Sequence, residues 1–230
     1  MSKVEKLIKE RPILFNGEMV RAILKGRKTQ TRRIVKNQPC GGWAFDGVYG
    51  RITSPHPQRG KFGAFLRRGV GTSWPELGIL PCPYGSPEDQ LWVKETFAEP
   101  NDQVTIYRAN WREDAITRGL DNIPKDDSGI RWKPSIYMPR WASRITLEIT
   151  NIRVERLNDI SEEDAIAEGI ERESGEYEGY FRDYREPDAI TKHARLSYMG
   201  LWESINGAGS WGINPWVWVI EFRKLEGGAL

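Results

Sequence analysis

The chain has 230 residues, of which 39% are hydrophobic, 11% aromatic and 29% charged. That length is enough to bury a proper core. With a mean hydropathy of −0.59, no apolar run approaches the roughly 20 residues that cross a bilayer. The 34 basic and 32 acidic residues leave a net charge of +2, which by itself names no partner. The first ten residues alternate Lys, Glu and apolar side chains without the apolar stretch of a secretory signal. The only two cysteines, Cys40 and Cys82, cannot form a disulfide scaffold, so a reducing, cytoplasmic setting is expected.

Residues 1–10 read as a polar lead-in. Pro12 to Phe15 predicts a short strand. Asn16 then caps a helix carrying Met19, Val20, Ile23 and Leu24 at helical spacing, which Gly26 ends. The stretch from Lys28 to Val35 alternates and is rich in β-branched residues, so it predicts a strand. Residues 37–87 change character: Gly and Pro are frequent, and aromatics such as Trp43 and Trp74 are scattered. This reads as an insertion with short hairpins. Further strands are expected at Leu91 to Lys94, Val104 to Arg108, Ser135 to Met138 and Ser143 to Leu157. Residues 111–130 read as a polar excursion. A capping box at Ser161 opens a helix that stops at Gly169. An acidic insertion at 171–190, an amphipathic helix at Lys192 to Ile205 and a strand from Pro215 to Phe222 follow, and residues 226–230 form a tail. Strands without regular βα alternation argue against a doubly wound sheet. They fit a mixed α+β, mainly β fold: a small barrel with flanking helices.

Charge is segregated along the chain. Glu18 to Lys36 holds seven basic residues and one acid, Arg131 to Arg144 four basic residues and none, and Glu155 to Asp188 thirteen acids and four arginines. This suggests a basic and an acidic face. Of the ten tryptophans, Trp92, Trp216 and Trp218 sit in strand-like runs and read as core or sheet residues. Trp132 and Trp141 lie among the basic residues of the second segment. With Arg140 and Arg144 they suit a single-stranded nucleic acid, cations meeting phosphates and rings stacking bases. The same residues also fit a buried strand with guanidiniums stacked on rings. Cys40, His56 and Cys82 lack zinc-ligand spacing, and no phosphate-binding glycine pattern is present. No metal and no cofactor are expected.

The segment Gly26-Arg27-Lys28-Thr29-Gln30-Thr31-Arg32-Arg33 carries the most chemistry. In a strand, Thr29, Thr31 and Arg33 face one way and Lys28, Gln30 and Arg32 the other. Lys offers a cation or a base, Thr a hydroxyl, and Arg a planar fork for phosphate. A solvated edge strand has the same composition.

These residues also carry a resemblance. The pattern Gly-x-Lys-Thr-x-Thr-x-Arg after a helix, a later Ser-Pro-x-Asp-x-Leu-x-Val strand entry, the Ile-Ser-Glu helix and the terminal Val-Trp-Val-Ile-Glu-Phe strand together resemble the ASCH family of the PUA-like superfamily, of the phage and prophage type. The likeness spans one domain over residues 11–225. It implies a PUA-like β-barrel with a cleft that takes RNA, single-stranded DNA or a modified nucleoside, with Arg27 and Arg33 on its basic wall. One branch of the family is an amidohydrolase on N4-acetylcytidine that uses a Lys, a Thr and a Glu. Residue by residue, these fall on Lys28, Thr31 and Glu168. Glu162 and Glu163, on the same helix, remain alternatives for the acid. Amide hydrolysis needs a nucleophile, a proton carrier and charge stabilisation. The resemblance implies Thr31 as nucleophile or water holder, Lys28 as base, Glu168 as its partner, and Arg33 on phosphate or the oxyanion. A non-catalytic binding module and a ribonuclease are the alternatives for the same cleft.

Overall fold

A computed structural model describes residues 8–53, 55–70, 72, 76–101, 104–119, 129–186 and 188–226. Most of the expected lead-in and tail, part of the polar excursion and Trp74 lie outside the described residues. In chain order the elements are β1 (Glu10–Leu14), α1 (Gly17–Leu24), β2 (Gln30–Ile34), β3 (Ala44–Arg51), β4 (Phe62–Arg68), β5 (Glu76–Pro81), β6 (Gln90–Lys94), β7 (Phe97–Asn101), β8 (Val104–Tyr107), α2 (Trp111–Thr117), β9 (Thr146–Arg156), α3 (Glu162–Ala167), β10 (Phe181–Arg182), β11 (Ile190–Thr191), α4 (Ala194–Asn206) and β12 (Trp216–Lys224). The fold is mixed α+β and mainly strands, arranged in several sheets, none of which closes into a barrel among the described residues.

The chain divides into two compact units. The first holds the residues up to Gly26, Gln90–Glu148 and the chain from Lys224 onward. Its β1 runs parallel to β6, pairing Ile13 with Val93, and β6 runs antiparallel to the start of β9, pairing Leu91 with Leu147. Alternation buries Ile13, Leu91, Val93 and Leu147 on one face. Helix α1 is capped by the Asn16 side chain, which accepts from Met19 N at 2.8 Å. The β7–β8 hairpin pairs Phe97 with Tyr107. Its side chains seat two small clusters, one with Met138 and Ala142, the other with Ile130 and Trp132.

The second unit holds Arg27–Asp89 and Ile149–Arg223. Here the rest of β9, then β12 and β2, lie side by side, with β12 antiparallel to β2 and Ile220 opposite Thr31. Val217, Trp218, Val219 and Ile220 are consecutive and all buried, so β12 is covered on both faces. Helices α3 and α4 pack Ala165, Tyr198, Leu201 and Trp202 against Val217 and Val219. The 37–87 segment contains an antiparallel sheet, β3-β4-β5. Its strands approach so closely that a Cβ on Gly63 would meet Leu80 O at 2.6 Å, which only glycine avoids.

Three local expectations differ. Ser135 to Met138 is not a strand: Ser135–Tyr137 and Arg140–Ala142 are 3-10 turns entered from Pro134 and Pro139. Proline lacks the N–H a ladder needs, and its fixed φ suits the entry to a turn. The polar excursion contains α2, whose first turn carries Glu113 and Asp114 where the helix dipole favours acids. The Lys28 strand starts at Gln30, because Thr29 N is taken by Ala167 O at 2.9 Å.

Candidate functional site

The site lies in the second unit, where the chain enters β2. Gly26 adopts φ 71, the left-handed turn that ends a helix. Gln30 and Arg32 project to one side by strand alternation, and Lys28, just before the strand, reaches the same way. All three reach α3 and the turn after it. Lys28 Nζ donates to the Glu168 carboxylate Oε2 at 2.7 Å and to Glu168 O at 2.8 Å. Gln30 Nε2 donates to Asp164 O at 2.7 Å. Arg32 Nη1 donates to Glu168 Oε1 at 3.1 Å, and its Nη2 donates to Asp164 Oδ2 at 2.8 Å and to Glu155. Asp164 and Glu168 are four residues apart and so share a helix face.

The pair is closed off. The Lys28 side chain is 1% exposed, that of Glu168 3% and that of Arg32 0%. A second guanidinium extends the network: Arg153 pairs with Glu155 at 3.0 Å, with Asp164 at 2.6 Å and with Glu221. Three cations (Lys28, Arg32, Arg153) thus meet four carboxylates (Glu155, Asp164, Glu168, Glu221).

Burial pulls the Lys28 ammonium below its ordinary value. Glu168 opposes the fall, and the charges of Arg33 and Arg32 add to it. Burial pushes the Asp164 carboxyl up, but Arg153 and Arg32 outweigh it and hold it below the usual range. Tyr198, buried beneath Arg32 with its ring 5.9 Å from the guanidinium, has its phenol driven well above 10 by desolvation.

The acid that reaches Lys28 is Glu168. Glu162 instead accepts from Ala194 N at 2.5 Å and Arg195 N at 3.4 Å, capping the start of α4. Glu163 is exposed. Thr31 is buried at 1% exposure and stands, with half-buried Arg33, on the face of β2 opposite Gln30 and Arg32. Lys28 and Glu168 are therefore brought together, and Thr31 is turned from them. Arg27 donates to Ile170 O at 3.0 Å and tethers the turn after α3.

The second constellation lies in the first unit. Arg144 forks onto Glu95 with two bonds of 2.9 Å and stacks on the Tyr107 ring at 3.9 Å. Arg140 pairs with Glu10 at 2.9 Å. Trp132 is half-buried, with the Arg108 guanidinium 5.9 Å from its ring. Trp141 is 68% exposed and Tyr137 70% exposed. Met138 and Ala142, each following one of these rings, point inward to the Phe97 cluster.

Arg32, Arg153, Glu155, Asp164 and Glu221 are the members of the network that sequence reading did not assign to the site. Their signal was present: a Lys-x-Gln-x-Arg alternation matched by an Asp-x-x-x-Glu helix face. No group of three or more His, Cys, Asp or Glu is placed to hold a metal among the described residues. Nor is any helix among them long and apolar enough to cross a membrane. No protein-family model, curated protein or solved structure matches this chain.

Proposed function

We propose that the protein recognises a nucleoside, free or within a single strand, and hydrolyses an amide on its base with the Lys28–Glu168 pair carrying the proton. The accompanying fold proposal is the PUA-like arrangement that the order of motifs implies. The single observation that supports the reading is the 2.7 Å contact between two side chains 140 positions apart. The motif resemblance had selected the same two residues. In the reaction, water oxygen bonds to the acyl carbon and the C–N bond breaks. The water proton passes through Lys28 and Glu168 to the leaving amine, giving a carboxylic acid and the free base amine. A desolvated lysine beside a carboxylate suits that exchange, because burial narrows the energy gap between its charged and neutral forms. The pair is closed to solvent in this structure, so turnover requires an opening that exposes it while the Lys28–Glu168 contact is kept.

The test is incubation with N4-acetylcytidine and chromatographic detection of cytidine. Wild type is expected to release cytidine, and Lys28→Ala and Glu168→Gln to lose at least about a hundred-fold in rate. Equal product from all three refutes hydrolysis at this site.

A second reading, binding without turnover, is favoured by the outward display of Tyr137 and Trp141 on a backbone fixed by two proline-led turns. Exposed rings held in this way can stack the bases of a single strand. Affinity for a labelled oligonucleotide that is unchanged by removal of both rings refutes it.

A further inference from the structure

We infer that Arg32 is a positioning residue: it holds the Glu168 carboxylate in the one orientation that leaves an oxygen for Lys28. The inference rests on the hydrolase reading above for its catalytic meaning, though not for its geometry.

Glu168 has two oxygens and two cationic neighbours. Lys28 takes Oε2 at 2.7 Å, and Arg32 Nη1 takes Oε1 at 3.1 Å. A carboxylate held at one oxygen rotates about its last bond. Held at both, it is fixed in plane, and its direction is set by whichever partner is itself the more rigid. That partner is Arg32. Its side chain is wholly buried, and its Nη2 is anchored by Asp164 on α3 and Glu155 on β9. The planar guanidinium then has no freedom to swing, because its Nη1 direction follows from its Nη2 direction. Burial lowers the Arg32 guanidinium's affinity for its proton, but the neighbouring carboxylates more than restore it, so the fork stays charged. Nε has no hydrogen-bond partner among the described residues, so the terminal nitrogens alone make the attachment. Arg153 in turn takes the other Glu155 oxygen at 3.0 Å and shares Asp164 Oδ2 with Arg32. The arrangement is a stack of forks whose last member aims one carboxylate at one ammonium.

Lysine keeps the charge but offers a point donor on a flexible stem, and it cannot span Glu168 and the Asp164–Glu155 anchor together. Arg32→Lys is thus the informative variant. Two readouts are made on the full chain. The first is the rate of N4-acetylcytidine hydrolysis, separated into kcat and KM. The second is the NMR signal of the Lys28 side-chain ammonium in protein labelled with 15N-lysine. A buried ammonium with fixed acceptors exchanges its protons slowly enough to be seen, and a merely structural role for Arg32 would leave it in place.

In Arg32→Lys, kcat is expected to fall by about ten- to a hundred-fold with KM unchanged, and the Lys28 signal to shift or broaden beyond detection. Glu155→Gln loosens Arg32 from its far side without touching Glu168. It is expected to move the same signals in the same direction by a smaller factor, and it serves if Arg32→Lys does not fold. A Lys28 signal unchanged in the folded variants, or a raised KM at constant kcat, overturns the inference. If the wild type shows no turnover while the Lys28 signal still responds to Arg32→Lys, the hydrolase reading falls and the positioning role stands.

Discussion

Replacing Glu168 by Gln removes a single charge from a place where water cannot substitute for it. Lys28 and Arg32, 1% and 0% exposed at the side chain, each lose a charged acceptor. Lys28 keeps Glu168 O at 2.8 Å, and Arg32 keeps Asp164 and Glu155. Breaking a buried pair by removing one partner typically costs about 3–5 kcal/mol. The retained acceptors place this case at the low end, about 3 kcal/mol. Gln also presents an NH2 to one of two donors, so relaxation cannot satisfy both. With a urea slope of about 3 kcal/mol/M, the unfolding midpoint drops by about 1 M. A double-mutant cycle with Lys28→Met isolates the pair, because the double variant removes both charges at once. The expected coupling is about 2 kcal/mol, the double variant being more stable than the sum of the singles predicts. A loss below about 1 kcal/mol in Glu168→Gln, or coupling within about 0.5 kcal/mol of zero, refutes the claim that these charges depend on one another.

Other consequences follow from the same coordinates. Glu162→Ala should cost about 1 kcal/mol, the usual worth of a cap, by freeing Ala194 N, and hydrogen exchange should rise at the first turn of α4 and not in α3. Gly63→Ala should cost about 1–3 kcal/mol, since its Cβ would sit 2.6 Å from Leu80 O and backbone must move; an unchanged melting temperature would contradict that approach. Asp164 is held below its unfolded value of 3.8, so its stabilisation is complete above that value and is lost as pH falls through the folded one. Urea midpoints should therefore decline below about pH 4, and less steeply in Asp164→Asn. Lys28 acts below 10.5: with its folded value lowered, the unfolded chain binds more protons between the folded value and 10.5, and stability rises with pH over that window. On the proposed binding reading, Trp141→Ala should weaken binding of a labelled single strand by about ten-fold, the scale of one lost stacking contact.

Local physics was legible in the residues alone. Asn16 and Ser161 announced their helices because a cap is a contact between near neighbours, and both side chains accept the expected N–H three residues on. The apolar run of β12 announced a strand, and the structure added that both its faces are covered. The alternation from Lys28 to Arg32 foretold which side chains share a side, and the structure shows that side meeting α3. Prolines 134 and 139 also carried their message, though the apolar run Ile136-Tyr-Met138 masked it and suggested a strand.

Partnership across the chain was not legible in this way. That Lys28 meets Glu168 rather than Glu162, and that Arg144 forks onto Glu95, depends on how strands and helices are brought together, a matter of long-range packing that no local propensity encodes. The residue types, their periodicities and their caps belong to the sequence. Which charge is buried against which, and so whether a lysine on this strand is a solvated cation or one member of a closed network, was decided by the tertiary structure. Coulomb and desolvation terms act through space, and folding sets those distances.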